Sequence, residues 1–229
     1  MEKLNSIRAE DILQFHQCPL RWYILKQNKK SYDSQHAKFK NVVNYYMQFI
    51  MNKGEAMKFK YLKPIIRMNG LLSKKDLILT WFSNIQKHLD PTMSDIRCIN
   101  LPFNTTVNNL LISDNIDIVR KTHFGFELII YDFNKDIDME NLLTNPGYMI
   151  YDYGFNQMFN VKLDSMFVYN FYNNKMININ RSNNHMVTQG VKVLEYCKNM
   201  LENDISPRVS AQCSKCKTVT DCTLNNYAY

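Results

Sequence analysis

Glycine and proline are scarce in this chain, six of each among 229 residues. With so few glycines there is no G-x-G-x-x-G run and no G-x-x-x-x-G-K-S/T loop, which excludes the backbone cradles that hold nucleotide phosphates. No G-x-S-x-G elbow is present to raise a serine nucleophile. No stretch approaches the roughly 20 consecutive apolar residues that a membrane helix needs. The opening Met1-Glu2-Lys3-Leu4-Asn5 lacks the apolar core of a secretory signal, so a soluble, cytoplasmic chain with no membrane partner is expected. Internal repeats and low-complexity linkers are absent too.

What is present is enough for one sizeable core. A hydrophobic share of 45% in a chain of this length argues for a single domain over 1–229. The formal charge of +7 favours an anionic partner, and nucleic acid is the commonest inside a cell. Cations alternate with aromatics in Lys58-Phe59-Lys60-Tyr61-Leu62-Lys63, as they do in grooves that track a single strand, which makes Lys58, Lys60 and Lys63 candidate DNA contacts.

The order of elements follows from period. Apolar positions between Arg8 and Lys26 predict two short helices that meet at Cys18-Pro19, where the proline disfavours an α conformation in the residue before it. Residues 26–40 read as a basic connector. An amphipathic helix over Phe39–Met51 should stop at Gly54, and another over Lys74–Leu89 puts Leu77, Trp81 and Ile85 on one face. The segments Asn109–Lys121 and Phe126–Phe133 predict a β-hairpin, and a second strand pair is expected over Met166–Tyr172 and Lys175–Arg181. Helices over Tyr148–Phe159 and Asn184–Leu201 complete an α/β (α+β) pattern: a helical N-terminal cap over 1–90, a sheet-containing core over 91–205 and a cysteine-rich tail over 206–229.

Three of the six cysteines, Cys213, Cys216 and Cys222, form C-x2-C-x5-C. Thiols so closely spaced in a reducing compartment point to a metal centre rather than to disulfides. Cys18, on a polar helix break, is the candidate fourth ligand, whereas Cys98 and Cys197 lie in apolar surroundings. Four thiolates suit zinc and an iron–sulfur cluster alike.

Cys18-Pro19-Leu20-Arg21-Trp22-Tyr23 at one end and Cys213, Cys216 and Cys222 at the other resemble the iron–sulfur branch of the PD-(D/E)XK nuclease superfamily. RecB-like domains of this kind, found in CRISPR-associated adaptation exonucleases and the AddB nuclease, carry one cysteine before the nuclease core and three after it. The resemblance implies a central mixed sheet flanked by helices and a 4Fe–4S cluster on Cys18, Cys213, Cys216 and Cys222. It also implies Mg²⁺ or Mn²⁺ on two strand carboxylates, which in Asn115-Ile116-Asp117 and Ile130-Tyr131-Asp132 are Asp117 and Asp132. An aspartate flanked by isoleucine on a strand is costly unless it has a partner, which favours a pair of acids facing one pocket.

The chain departs from that pattern at three places. Asn134 stands where the catalytic lysine belongs, and Lys135, the nearest candidate, falls one residue late on the opposite strand face. Asn44 stands where a helix histidine is expected when Lys40–Tyr45 is aligned, and the glutamine near Tyr148 is missing. Cleavage by Asp117, Asp132 and Lys135 is therefore expected to be weak or absent. The alternative is a noncatalytic structural or interaction subunit of a larger complex built on the same fold.

Overall fold

A computed structural model describes residues 6–27, 34–54, 57–89, 94–135, 139–161, 163–179, 181–202 and 204–208, with Cys213, Cys216 and Cys222. Within the expected connector, residues 28–33 lie outside the described residues, as does the tail apart from 206–208 and its three cysteines.

The first helices, α1 (Ala9–Gln17) and α2 (Pro19–Gln27), meet at Cys18, which Pro19 forces into an extended conformation. Asp11 locks the pair. It accepts the Arg8 N–H at 2.8 Å in a capping box and binds Trp22 Nε1 at 3.0 Å across the break. The helix α3 (Ser34–Lys53) starts inside the region expected to be a connector and ends at Gly54, whose φ of 69° only glycine adopts cheaply. Two more helices follow, α4 (Phe59–Met68) and α5 (Lys75–Leu89).

The sheet comprises β1 (Ser6–Ile7), β2 (Ile96–Val107), β3 (Leu110–Lys121), β4 (Phe126–Asp132), β5 (Leu163–Asn170) and β6 (Lys175–Asn178). Asn108 and Asn109, both left-handed, turn β2 tightly into β3. Sequence reading missed β2. Its Pro102 argues against a strand, yet β2 pairs only with β3 among the described residues, and an edge strand tolerates a proline. Strands β3 and β4 form the expected hairpin. The chain then passes through α6 (Met139–Thr144) and α7 (Gly147–Phe159) before β5 joins β4 in parallel. Strand β6 closes a second hairpin, and α8 (Asn183–Glu202) ends the described helices.

Both faces of the sheet are covered, giving a mixed α/β architecture. Along β4, Leu128 and Ile130 point to one core, shared with α1, α7 and α8, while Ile129 and Tyr131 point to the other, shared with α3, α4 and α5. The helices of residues 1–90 thus divide between the two faces. Two glycines let α7 lie close. A Cβ on Gly154 would come within 2.3 Å of Phe103, and one on Gly147 within 2.6 Å of Leu13.

Candidate functional site

Two strands share one edge of β3. Strand β2 pairs along the other edge from Leu110 to Arg120. On the shared edge, β4 pairs with residues 118–121 and β1 pairs in parallel with Leu111 and Ile112, so residues 113–117 face a gap among the described residues. Within the β2–β3 pair, Ile99 and Ile118 face one core and Leu101 and Ile116 the other, although residues two apart on a strand ordinarily share a face. The pair turns over at Asn100, left-handed at φ 60°, which stands opposite Asp117.

Asp117 fills the split. It is fully buried, and its Oδ2 accepts the Tyr131 N–H at 2.9 Å, taking the place of the strand acceptor that the gap removes. Lys40 reaches down from α3, with Nζ 2.9 Å from Asp117 Oδ1 and 3.3 Å from the Asn115 carbonyl oxygen. Burial pushes the Asp117 carboxyl up, with Lys40 and the Tyr131 N–H pulling against it. For the ammonium, burial acts downward, but Asp117, Asp114 and Glu10 outweigh it and hold Lys40 above its ordinary value. Lys40 therefore stays charged inside the protein.

Above this pair opens a cleft of about 710 Å³, whose walls include Glu10, Lys40, Asp114, Asp132, Tyr148 and Tyr151. Asp114 Oδ2 accepts the Glu10 N–H and the Tyr151 hydroxyl, each at 3.3 Å. Burial first, and Asp114 second, hold the Tyr151 phenol well above its ordinary value, so it is a neutral donor. Burial also raises the Glu10 carboxyl, against the pull of Arg8 at 3.0 Å.

Asp117 and Asp132 lie near one another, since the N–H that Asp117 accepts belongs to Tyr131, next to Asp132. Asp132, at the end of β4, lines the cleft half-buried, but its oxygens are taken by amides: Oδ1 by Asn134 Nδ2 at 2.5 Å and the Asn134 N–H at 3.1 Å, Oδ2 by Asn170 Nδ2 at 2.7 Å. Asp117 lies beneath the cleft rather than on its wall. Lys135 is exposed and stands outside the lining. Asn44 is buried on α3 and donates to Asn100 Oδ1 at 3.1 Å. Lys58, the N-cap of α4, and Lys60 and Lys63 on it are all exposed and outside the cleft lining, with the Lys60 ammonium 4.8 Å from the Tyr61 ring centre.

A divalent ion held by both strand acids fits these positions poorly. Asp117 already has a cation on one oxygen and a backbone donor on the other, and Asp132 has no oxygen without a donor. Arg208 donates to the His16 carbonyl at 2.9 Å, two residues before Cys18, and Cys213 Sγ lies 3.9 Å from the Arg208 carbonyl oxygen. Arg208 thus links the start of the tail to the α1–α2 break, and four soft thiols suit a cluster. Among the described residues, however, no three His, Cys, Asp or Glu side chains are gathered around a common metal position.

No family model matches this chain, and no curated protein matches it. Solved structures do. One from Eubacterium rectale, described as a "Putative exonuclease", superimposes with a TM-score of 0.57 at 12% identity, covering 94% of this chain and 87% of the other. A crystal structure named SSO0001 is 11% identical with a TM-score of 0.49, covering 97% of this chain and 88% of the other. At 12% identity the first likeness extends to the fold alone, which this chain shares with that structure.

Sequence reasoning missed Lys40, Glu10 and Asp114. A signal existed for Lys40, since it shares a helix face with Val43 and Met47, both buried, where a lysine is out of place unless paired. Asp114 and Glu10 carried none, because an aspartate near a strand start and a glutamate in a first helical turn are both ordinary.

Proposed function

We propose that this chain is a DNA-binding protein on a nuclease-like fold, in which metal-dependent phosphodiester cleavage is weak or lost. Cleavage of this kind needs carboxylates that converge on a hard cation left open to phosphate and water. The observation that carries the reading is Asp117, sealed beneath the Lys40 ammonium rather than open to the cleft. The expected catalytic lysine position supports it, since Asn134 spends its amide on Asp132 and supplies no charge.

DNA is the partner favoured by the net charge of +7 and by the exposed start of α4, where Lys58 at its N-cap, Lys60 and Lys63 stand near Phe59 and Tyr61. Single strands suit alternating cations and aromatics best. A 4Fe–4S cluster on Cys18, Cys213, Cys216 and Cys222 belongs to the same proposal, in a bracing role that ties the tail to the start of the fold. Anchoring of Arg208 at His16 supports that connection.

The test uses anaerobically purified protein and labelled single- and double-stranded DNA. Binding in EDTA at low salt is expected, falling steeply as salt rises. Changing Lys58, Lys60 and Lys63 together to alanine should flatten the slope of log affinity against log salt by about 2–3. Cleavage with Mg²⁺ or Mn²⁺ should be undetectable. No binding at low salt, or robust cleavage that disappears in Asp132→Ala, would sink the reading. Brown protein with iron and sulfide, bleached by Cys18→Ala, is expected for the cluster, and colourless protein with one tight zinc would replace it by the zinc alternative.

A further inference from the structure

We infer that the Lys40 ammonium is a built-in substitute for a divalent cation, so that the split in the sheet is metal-free by design and becomes a cation site when Lys40 is removed. Among the described residues, the polar partners of Nζ are oxygens. Asp117 Oδ1 lies at 2.9 Å and the Asn115 carbonyl at 3.3 Å, and Asp114 and Glu10 are close enough to act on its charge. Hard oxygen donors with an excess of negative charge are the set that Mg²⁺ and Mn²⁺ select. Here that seat holds a positive nitrogen.

Position explains why no ion competes. Lys40 lines the cleft with its side chain 26% exposed, while Asp117 below it is 0% exposed, so the lysine covers the carboxylate it neutralises. A metal entering from the cleft would meet the ammonium before it met Asp117. The tether to α3 gives the lysine a high local concentration that a free ion lacks. The chain turns over at Asn100 and Asp117 and opens a gap in the hydrogen-bond ladder, and the resulting buried carboxylate stays ionised only beside a cation. Lys40 supplies that cation within the fold.

The inference rests on the proposed loss of cleavage for its functional meaning, but its measurement involves no DNA, so the two fail separately. Full-length protein is titrated with MnCl2, free Mn²⁺ is read from its electron paramagnetic resonance signal, and Tm is recorded with and without Mn²⁺. Wild type and Asp117→Asn should bind the same number of Mn²⁺ ions, with no Asp117-dependent rise in Tm. Lys40→Ala should bind one additional Mn²⁺, at least about tenfold tighter than any wild-type site, with Tm raised by the ion. Lys40→Ala/Asp117→Asn should lose that ion. If Lys40→Ala is recovered only with Mn²⁺ present and unfolds on adding EDTA, the inference is likewise supported. If it fails to fold under both conditions, Lys40→Gln, which keeps most of the side chain and removes the charge, takes its place under the same criteria. The inference is overturned by an Asp117-dependent Mn²⁺ site in wild type, or by folded Lys40 variants that gain no such site.

Discussion

Asp117 and Asp152 are both at 0% exposure, and each has one cation beside it, yet they are held in different ways. Around Asp152 everything is satisfied. Arg181 grips both oxygens, Nε on Oδ2 at 2.8 Å and Nη2 on Oδ1 at 3.1 Å, while Asn156 adds a donor at 2.6 Å and the Arg181 Nη1 goes on to the Leu163 carbonyl. That fork welds α7 to β5 and to the chain beyond β6. At Asp117 a point charge on a flexible stem replaces the planar fork, at a place where the ladder is open and a cleft lies above. A buried carboxylate with every lone pair used is a brace, whereas one at a ladder gap with a single movable cation is a place where chemistry or its suppression can be installed.

Breaking the brace should have the largest effect. Arg181→Ala leaves Asp152 buried and uncompensated and should cost about 3–5 kcal/mol, read by urea unfolding. Lys40→Met should cost less, about 1–3 kcal/mol, because the Asp117 carboxyl, already pushed up by burial, can take a proton instead. That difference has a pH signature. A folded-state carboxyl raised above its unfolded value binds extra protons in the native state, so stability falls as pH rises above the ordinary carboxylate range. Without the opposing pull of Lys40 the rise is larger, so the deficit of Lys40→Met against wild type should shrink as pH falls from 8 towards 5. A deficit that is flat over this range would show that Asp117 keeps its charge unaided.

Asp132 tests the comparison from the exposed side. Its donors are neutral amides, and Asn170→Ala removes the Oδ2 donor together with the donor to the Asn134 carbonyl and the acceptor of the Asn173 N–H, so it should cost about 1–3 kcal/mol. Lys135→Ala should change stability by less than about 0.5 kcal/mol and leave DNA binding nearly intact, since its side chain is exposed and outside the cleft lining. A larger loss of binding in Lys135→Ala than in the triple α4 variant would move the DNA path from α4 to the end of β4.

Legibility followed locality. The α1–α2 break could be read because Pro19 acts on its immediate neighbour, and the β3–β4 hairpin because a turn separates two runs of branched and aromatic residues. Strand β2 was hidden by Pro102, which is tolerable because one edge of that strand is unpaired among the described residues, a fact of topology rather than of local composition. Helix α4 was hidden too. Its basic and aromatic residues drew attention, while Leu62 and Ile66, the buried face that makes it a helix, are two positions only, with Pro64 between them. At the site, Asp117 stood out because an aspartate between isoleucines is improbable on a strand. Its partner Lys40 did not, because the lysine's meaning depends on a residue far along the chain.

The smallest strand has a consequence for how the molecule comes into being. Ser6 and Ile7 find their partners at Leu111 and Ile112, more than a hundred positions later, and lead straight into Arg8 and Glu10. During synthesis the first helix leaves the ribosome long before the strand it must lean on exists. One wall of the cleft therefore waits for the centre of the chain, and the closing of that long loop is a step on which assembly of the whole pocket depends.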